Sequence, residues 1–569
     1  MSALTTFSIT EIPFSYAGSW FNLSPVIAEK TYADDVHLVS HRNGMHPVLC
    51  LQPRSADEPV EAPVTASAAR LRWTHQDGTI DLVYESADTI RLRGAGLGLR
   101  IGAAEPALTP FSGIYLFRDP RDDSFVFTSY ETGQRYRVTL LTQSPHEAAG
   151  PEQLGDRDRH LEMASGSSWE VAIEEYATSR DPYQPSAPFD EVARQAQDTF
   201  RRYLQTVAPW RSPRTPAAEL ATYVLWSATV APGGFLTRPA VLMSKHWMDK
   251  VWSWDHCFNA LALAAGDPEL AWDQFHIPFD HQDPTGALPD SVTHSEVLYN
   301  FVKPPIHGWA LARLRRRLTE PVDRHRLTEV YQRLSRWTTF WLTQRRLPGH
   351  LLPHYQHGND SGWDNATVFD AGRVLETADL AAFLIIQLRE LSTLAAELGD
   401  AADAVRWHDT AEEMQAALLA TLWDGSRFHA RDPRTGATHD STSLLALMPL
   451  VLGDDLPAEV RTALITALKA HLTAHGLATE PISSDQYAAD GYWRGPIWAP
   501  ATLLIEDGLR RGGHIDLADD ISSRFRRLCE TSGFAENFNA DTGAGLRDRA
   551  YTWTAAVYLV LAAAHHQGT

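Results

Sequence analysis

Residues 180–188 read Arg-Asp-Pro-Tyr-Gln-Pro-Ser-Ala-Pro, and from the next residue onward the periodicity of the chain changes. Three prolines in nine residues remove the backbone donors that helix or sheet would use, so this stretch marks a boundary. On its C-terminal side Phe189–Val207 places apolar residues at helical spacing. The same spacing recurs at Ala217–Val230, Ile306–Leu318, Val322–Leu342, Val374–Leu398, Ala401–Leu422, Ala458–His475, Pro496–Arg511, Ala518–Glu530 and Ala550–His566. With shorter candidates at Cys257–Ala265 and Ser443–Leu452, about a dozen helices are expected, with no strands between them. Such an array excludes a TIM barrel or a Rossmann fold and leaves a bundle or an α/α toroid. Loops rich in Gly, Trp and Asp recur between the helices and favour the toroid, where such loops gather at one mouth. No internal sequence repeat is visible.

On the N-terminal side of the boundary the chain reads as β-structure. Val36–His41, Thr79–Glu85, Thr89–Leu99, Ser124–Tyr130, Gln134–Leu141 and Trp169–Tyr176 alternate or are rich in β-branched residues. Turns such as Gln76-Asp77-Gly78 and Glu131-Thr132-Gly133 separate them. Residues 145–165 are polar and irregular and are expected to form a long loop. The expected architecture is an antiparallel β-sandwich over residues 1–180, followed by a helical domain over residues 181–569.

Composition narrows the function. The 569 residues are 44% hydrophobic and 21% charged, an ordinary globular balance. Fifty Lys and Arg against 71 Asp and Glu leave a formal charge of −21, which repels phosphate backbones, so no nucleic acid partner is expected. The longest basic run, Arg315-Arg316-Arg317, reads as a solvated helix face. Cys50, Cys257 and Cys529 form no CxxC pair and no disulfide framework, as suits a reducing compartment. Residues 1–18 lack the basic and apolar regions of a signal peptide, and no apolar stretch reaches the roughly 20 residues of a membrane span. A soluble cytoplasmic protein without a membrane partner is expected.

Eighteen Trp, 17 Tyr and 21 Phe are present, and many of the Trp lie beside Asp, Gly or Arg. Aromatic faces stack on the apolar faces of sugar rings while neighbouring polar groups hold the hydroxyls. Core packing is the simpler account of any single Trp. Five segments concentrate the pattern. Lys250-Val-Trp-Ser-Trp-Asp-His256 sets Trp252 and Trp254 before Asp255, which also stands where a helix N-cap belongs. Residues 282–290, Gln-Asp-Pro-Thr-Gly-Ala-Leu-Pro-Asp, are explicable as turn chemistry alone. Lys303-Pro-Pro-Ile-His-Gly-Trp309 opens a helix on two prolines, with His307 in either packing or ligand contact. Asp360-Ser-Gly-Trp-Asp-Asn365 puts Asp364 between indole and amide, where desolvation keeps a carboxyl protonated. Gly491-Tyr-Trp-Arg-Gly-Pro-Ile-Trp498 sets Arg494 among Trp residues, either for hydroxyl recognition or as a structural partner of an acid. Beyond these, Glu536 is flanked by Phe534, Asn537, Phe538 and Asn539, a setting suited to a water-activating base. Glycoside hydrolysis requires two carboxyl groups, and only a fold that returns to one mouth brings Asp364 and Glu536 together.

The helical part resembles glycoside hydrolase family 63, and more loosely the trehalases and amylo-1,6-glucosidases of the same (α/α)6-barrel group. The resemblance rests on Trp254-Asp255, Ser361-Gly-Trp-Asp-Asn365, Tyr492-Trp-Arg-Gly-Pro-Ile-Trp498, Glu536-Asn-Phe-Asn539 followed by Thr542-Gly543, and Trp553-Thr-Ala-Ala556, in that order. It implies an (α/α)6 barrel and an inverting, exo-acting α-glycosidase, typically an α-glucosidase. By this resemblance Asp364 is the general acid and Glu536 the general base. Trp254, Asp255, Trp363, Trp493 and Arg494 line the sugar subsite; Trp252, Gln282, His307, Asp360 and Asn365 complete the expected substrate contacts. Asp360 stands where the family often has Glu, and Leu546-Arg-Asp-Arg549 follows where the family has a Gly-rich stretch.

Two rival readings remain at this level. One is a sugar isomerase or epimerase using His246, His256, His307 or His354. The other is a carbohydrate-binding protein without catalysis. None of the three requires a metal or cofactor. The sequence has no HExxH, no EF-hand loop and no phosphate-binding Gly motif. The expected partner is a carbohydrate substrate.

Overall fold

The computed structural model describes residues 4–56, 58–109, 111–150 and 157–567. The chain forms two compact units. The first takes the described residues up to Pro209 together with 222–250 and 293–296; the second takes 210–221, 251–292 and the described residues from 297 onward. The edge of the first unit thus lies beyond the expected boundary at residue 180.

The first unit is built on two antiparallel sheets. In the nine-stranded sheet the spatial order is Thr6–Phe7, Val64–Ser67, Arg70–His75, Gly78–Ser86, Thr89–Ala95, Ser168–Tyr176, Arg135–Leu140, Phe125–Ser129 and Ile114–Arg118. The seven-stranded sheet runs His146–Ala149, His160–Met163, Gly98–Ala103, His46–Ser55, Thr31–Ser40 and Phe21–Ile27, with Glu58–Pro59 added to His46–Ser55. Registers place Ile173 opposite Ile90 and Val171 opposite Leu92, all buried. The sheets meet at Tyr84, whose ring stacks on Phe21 and whose hydroxyl donates to the Phe21 carbonyl.

Two expectations change here. Thr89–Leu99 is not one strand. Gly96, at φ +79°, ends Thr89–Ala95, and Gly98–Ala103 continues in the other sheet. Within residues 145–165, His146–Ala149 pairs with His160–Met163 as a sheet edge, while 151–156 lie outside the described residues. The outermost strand is exposed over His146, Glu147 and Ala148, so it carries no apolar alternation to announce it.

The helices are α1 (Phe189–Val207), α2 (Ala218–Ala228), α3 (His256–Leu263), α4 (Pro268–Asp280), α5 (His307–Arg317), α6 (Arg324–Gln344), α7 (Ala378–Leu398), α8 (Ala401–Leu422), α9 (Ala458–Leu468), α10 (Ala499–Arg511), α11 (Ile515–Ser532) and α12 (Thr552–Gln567). Helix α1 belongs to the first unit, where Phe189, Val192 and Ala193 pack on Val83 of the nine-stranded sheet. The expected helix at residues 443–452 is a 3-10 segment, Leu444–Asp455, kinked at Gly453. Little in the sequence announces α4. Pro268 opens it, Pro278 lies inside it, and buried residues run unbroken from Gln274 to Phe279, so no amphipathic period appears. Between the helices the chain adds small antiparallel sheets of two or three two-residue strands, contrary to the strand-free expectation.

In the second unit α3 packs on α5, α5 on α7, α7 on Leu444–Asp455, that segment on α10, α10 on α12, and α12 back on α3. Members of this circuit are buried nearly all round. In α12 every residue from Thr552 to Ala562 is buried, as expected of a helix with no polar face. Helices α6, α8, α9 and α11 pack against the circuit through one apolar face, while α4, buried on nearly every side, packs on α3. The Arg315–Arg317 run is not a free face either, since Arg315 pairs with Glu390 and Glu397 of α7 at 3.3 and 2.6 Å. Among the described residues no helix is long and apolar enough to cross a membrane.

Candidate active site

The motif residues lie on the loops that enter α3, α5, α7, α10 and α12, all members of the circuit. Local structure holds these loops together. Asn365 donates to the Gly491 carbonyl and accepts from Trp493 N, at 3.1 and 3.0 Å. Ile497 and Phe538 exchange backbone hydrogen bonds, which joins the Tyr492–Trp498 segment to the strand after Glu536. Asn537–Phe538 pairs with Gly545–Leu546, and Glu536 N donates to the Asp548 carbonyl.

One side of the site is a carboxylate cluster around a buried lysine. Lys303 Nζ lies 3.2 Å from Asp290 Oδ1 and 3.8 Å from Asp364 Oδ1, and donates to the Asn359 carbonyl. Burial pulls its pKa down, but Asp364, Asp290 and Asp255 together hold it above the ordinary lysine value. Asp255 stands at the start of α3 yet makes no capping hydrogen bond. Its Oδ2 has no partner, and burial, with Asp290 and Asp364 nearby, pushes its pKa up to about 8 against the pull of Lys303. Asp364 keeps 30% of its side-chain surface and is otherwise enclosed by protein. That enclosure raises its pKa, Lys303 opposes the rise, and Asp290 adds to it.

The other side is Glu536. It is 1% exposed and neither carboxylate oxygen has a hydrogen-bond partner. The Tyr492 phenol is near enough to pull its pKa down, without counting as a hydrogen-bond partner of either oxygen. Burial is the main cause that drives Glu536 up to about 8, with Asp548 and Asp364 adding to it. Asp364 thus acts electrostatically on both Asp255 and Glu536, and the Tyr492 phenol feels all three carboxyls. The fold therefore brings Asp364 and Glu536, 172 positions apart in sequence, into one charge cluster.

The aromatics pack on each other. Trp493 stacks on Trp498 with centroids 3.9 Å apart and planes 6° from parallel, and Trp363 lies 4.6 Å from Trp493. Trp254 meets Trp493 and Trp553 at 6.5 and 5.8 Å. Trp254, Trp363 and Trp493 expose 2%, 1% and 1% of their surface, so the indole faces expected to meet a sugar are covered by one another. Trp252 alone of the four expected indoles is half-buried.

Several expected contacts are committed to the protein itself. Asp360 is buried and accepts from Val302 N, Gln356 N and Arg345 Nη1, so its two oxygens knit the loop rather than face a ligand. Arg494 pairs with Asp370 and donates to the Asn365 carbonyl, the structural alternative raised by its sequence, with an acid that is partly exposed rather than buried. The Gln282 amide donates to the carbonyls of Gly286 and Arg333, fastening the turn to α6. His307 is fully buried, donates to the Ser253 carbonyl, and is held down to about 4 by burial. His256 likewise donates to the Trp252 carbonyl, so both histidines brace the turn before Asp255. Lys303, Asp290, Tyr492, Asp548 and Tyr551 complete the cluster, and the sequence assigns none of them a role. Lys303 and Asp290 sit at the ends of two segments that otherwise read as helix start and turn.

Residues 248–554 match the family model described as the mannosylglycerate hydrolase MGH1-like glycoside hydrolase domain. The mannosylglycerate hydrolase of Rubrobacter radiotolerans is 26% identical over 423 residues, covering 57% of this chain and 92% of that protein. The glucosylglycerate hydrolase of Mycolicibacterium hassiacum is 25% identical over 449 residues, covering 61% and 97%. Among solved structures, the family 63 mannosylglycerate hydrolase of Thermus thermophilus in complex with glucose superimposes with a TM-score of 0.53 at 22% identity, over 60% of this chain and 98% of that one. The shared fold, with a family match spanning the carboxylate cluster and the tryptophans around it, makes this chain a family 63 glycoside hydrolase of the MGH1-like group.

Proposed function

We propose that the protein is an inverting, exo-acting α-glycosidase that hydrolyses a terminal α-glucoside or α-mannoside of a small molecule. In this reading the helix circuit of the second unit is an (α/α)6 barrel that carries the catalysis, and the first unit is accessory to it. Asp364 is the general acid and Glu536 the general base. Two enclosed carboxyls of raised pKa in one cluster are the observation that carries it.

The steps follow from that pair. Asp364 gives its proton to the glycosidic oxygen as the C–O bond breaks and the electron pair leaves with that oxygen. Water attacks the anomeric carbon from the opposite face while Glu536 takes its proton. The carboxyls of such a pair stand roughly 6.5–9.5 Å apart, leaving room for that water. Asp255, desolvated and without a cap to make, is the carboxyl proposed to hold sugar hydroxyls.

The relatives act on mannosylglycerate and glucosylglycerate, so these two are the first substrates to offer, beside α-linked disaccharides. Asp364→Asn and Glu536→Gln are each expected to lower kcat by about 10²–10⁴-fold. Proton NMR of the first turnovers should show the β-anomer appearing before mutarotation. An α-anomer as first product, or wild-type turnover in either variant, rejects the reading. Isomerase chemistry finds no support in the neutral, backbone-bound His307.

A further inference from the structure

Sequence reading gives Lys303 no role, yet it is the cation that lies against the carboxylates of this site. Its ammonium is buried and held by a hydrogen bond to the Asn359 carbonyl at 3.1 Å, at ion-pair distances of 3.2 Å from Asp290 Oδ1 and 3.8 Å from Asp364 Oδ1. Asp255 is the third carboxyl whose charge it feels. Glu536 has no such neighbour. Its oxygens are unpartnered, and Arg547, the cation whose charge reaches it, is bound to Asp490 and lies over the Tyr492 ring.

That asymmetry matches the direction of the reaction. In the reacting form, which needs Glu536 ionised and is favoured as pH rises towards 8, the proton sits on Asp364 and the charge on Glu536. Afterwards Asp364 is an anion, Glu536 carries the proton taken from water, and the proton returns to Asp364 by exchange with solvent. Charge therefore appears beside Lys303 and disappears from the desolvated pocket of Glu536. We propose that Lys303 is a positioning residue that strengthens Asp364 as an acid, its fixed ammonium neutralising the carboxylate that forms as the leaving group departs. Fixed charge aimed at developing charge needs no reorganisation at the moment of reaction. Lys303 lowers, and burial raises, the affinity of Asp364 for its proton, so its removal leaves a weaker acid.

This rests on Asp364 being the general acid, and the test separates the two claims. Two substrates of the same sugar are compared: an alkyl α-glycoside, whose leaving oxygen needs a proton, and the α-glycosyl fluoride, whose leaving group does not. Asp364→Asn should lose most of its activity on the alkyl glycoside and keep far more on the fluoride; equal losses reject Asp364 as the acid. Lys303→Met should lose roughly tenfold or more on the alkyl glycoside and no more than a few-fold on the fluoride, a fraction of the total acid effect. An equal loss on both substrates, with Asp364→Asn behaving as stated, overturns the role of Lys303 alone. Lys303→Gln, which keeps a donor for the Asn359 carbonyl, repeats the comparison if the Met variant does not fold. Circular dichroism confirms that each variant compared is native.

Discussion

Glu536 holds two carboxylate oxygens in the protein interior, and neither meets a hydrogen-bond donor. A buried group left in that state destabilises the fold whenever it is charged. Its pKa rises from the ordinary 4.5 to about 8, and each unit corresponds to about 1.4 kcal/mol. The folded protein therefore binds this proton more tightly than the unfolded chain. Stability falls as pH rises from about 4.5 towards 8, and above 8 the full penalty, on the order of 4–5 kcal/mol, is present. Glu536→Gln removes the titration. Its melting temperature relative to wild type should climb steadily between pH 5 and 8, by a few degrees in total. A constant offset across that range would show that the carboxyl is not desolvated. Asp360 is the opposite case, a carboxylate whose three donors include the half-buried Arg345. Asp360→Ala strands that guanidinium and is expected to cost about 3–5 kcal/mol, read as lost denaturant stability, irrespective of any effect on turnover.

Among the elements, helices α1, α6, α8, α9 and α11 were legible because each buries one face, and that face writes a 3.6-residue period into the sequence. Helices α1 and α8 begin and end where the periodicity places them, while α4 hid because it is buried on nearly every side and interrupted by proline. The site was legible in part for a similar reason. Motifs that enter the circuit helices are short and rich in chemistry, so Asp364, Glu536 and Asp255 stood out. Lys303 did not, because a lysine before two prolines reads as an exposed helix start until the fold closes three carboxylates over it. Trp363 and Trp493 read as open sugar platforms because sequence does not say which indole covers which. Close approach between circuit members was equally silent. Gly308 of α5 lies so near α7 that a Cβ there would stand 2.4 Å from Gln387 Cα. Gln387 accepts from Gly308 N and donates to Thr338 of α6, so this one contact joins three helices. Gly308→Ala should destabilise the protein by about 1–3 kcal/mol through overpacking, measured by urea denaturation. Unchanged stability would mean that α5 and α7 separate freely at this point.

On the scale of the whole chain, the stretch that announced the change of fold is not a loose tether. Arg137, buried in the nine-stranded sheet, donates to the carbonyls of Arg180 and Asp181, at 3.3 and 2.6 Å. Arg180 in turn pairs with Asp88 and Glu174. Further along, Glu85 accepts from the Tyr183 and Ser186 hydroxyls and from Ser186 N, and Arg91 donates to Tyr183 and to the Ala187 carbonyl. Proline content correctly predicts that 180–188 is neither helix nor strand. It does not predict that side chains from the sheet supply the missing hydrogen bonds, and so the linker and α1 join the first unit. Proteases cut where the backbone opens locally, and a strap bonded at this many points opens rarely. Trypsin under native conditions is therefore expected to spare Arg180 even though its side chain is about one-third exposed. Glu85→Gln weakens the acceptor shared by Tyr183 and Ser186 without removing side-chain volume. In that variant cleavage after Arg180 should appear at protease levels that leave wild type intact, with the products identified by mass spectrometry. Equal cleavage of both proteins would mean that the strap adds nothing to the order of the linker, and that its proline content alone sets its conformation.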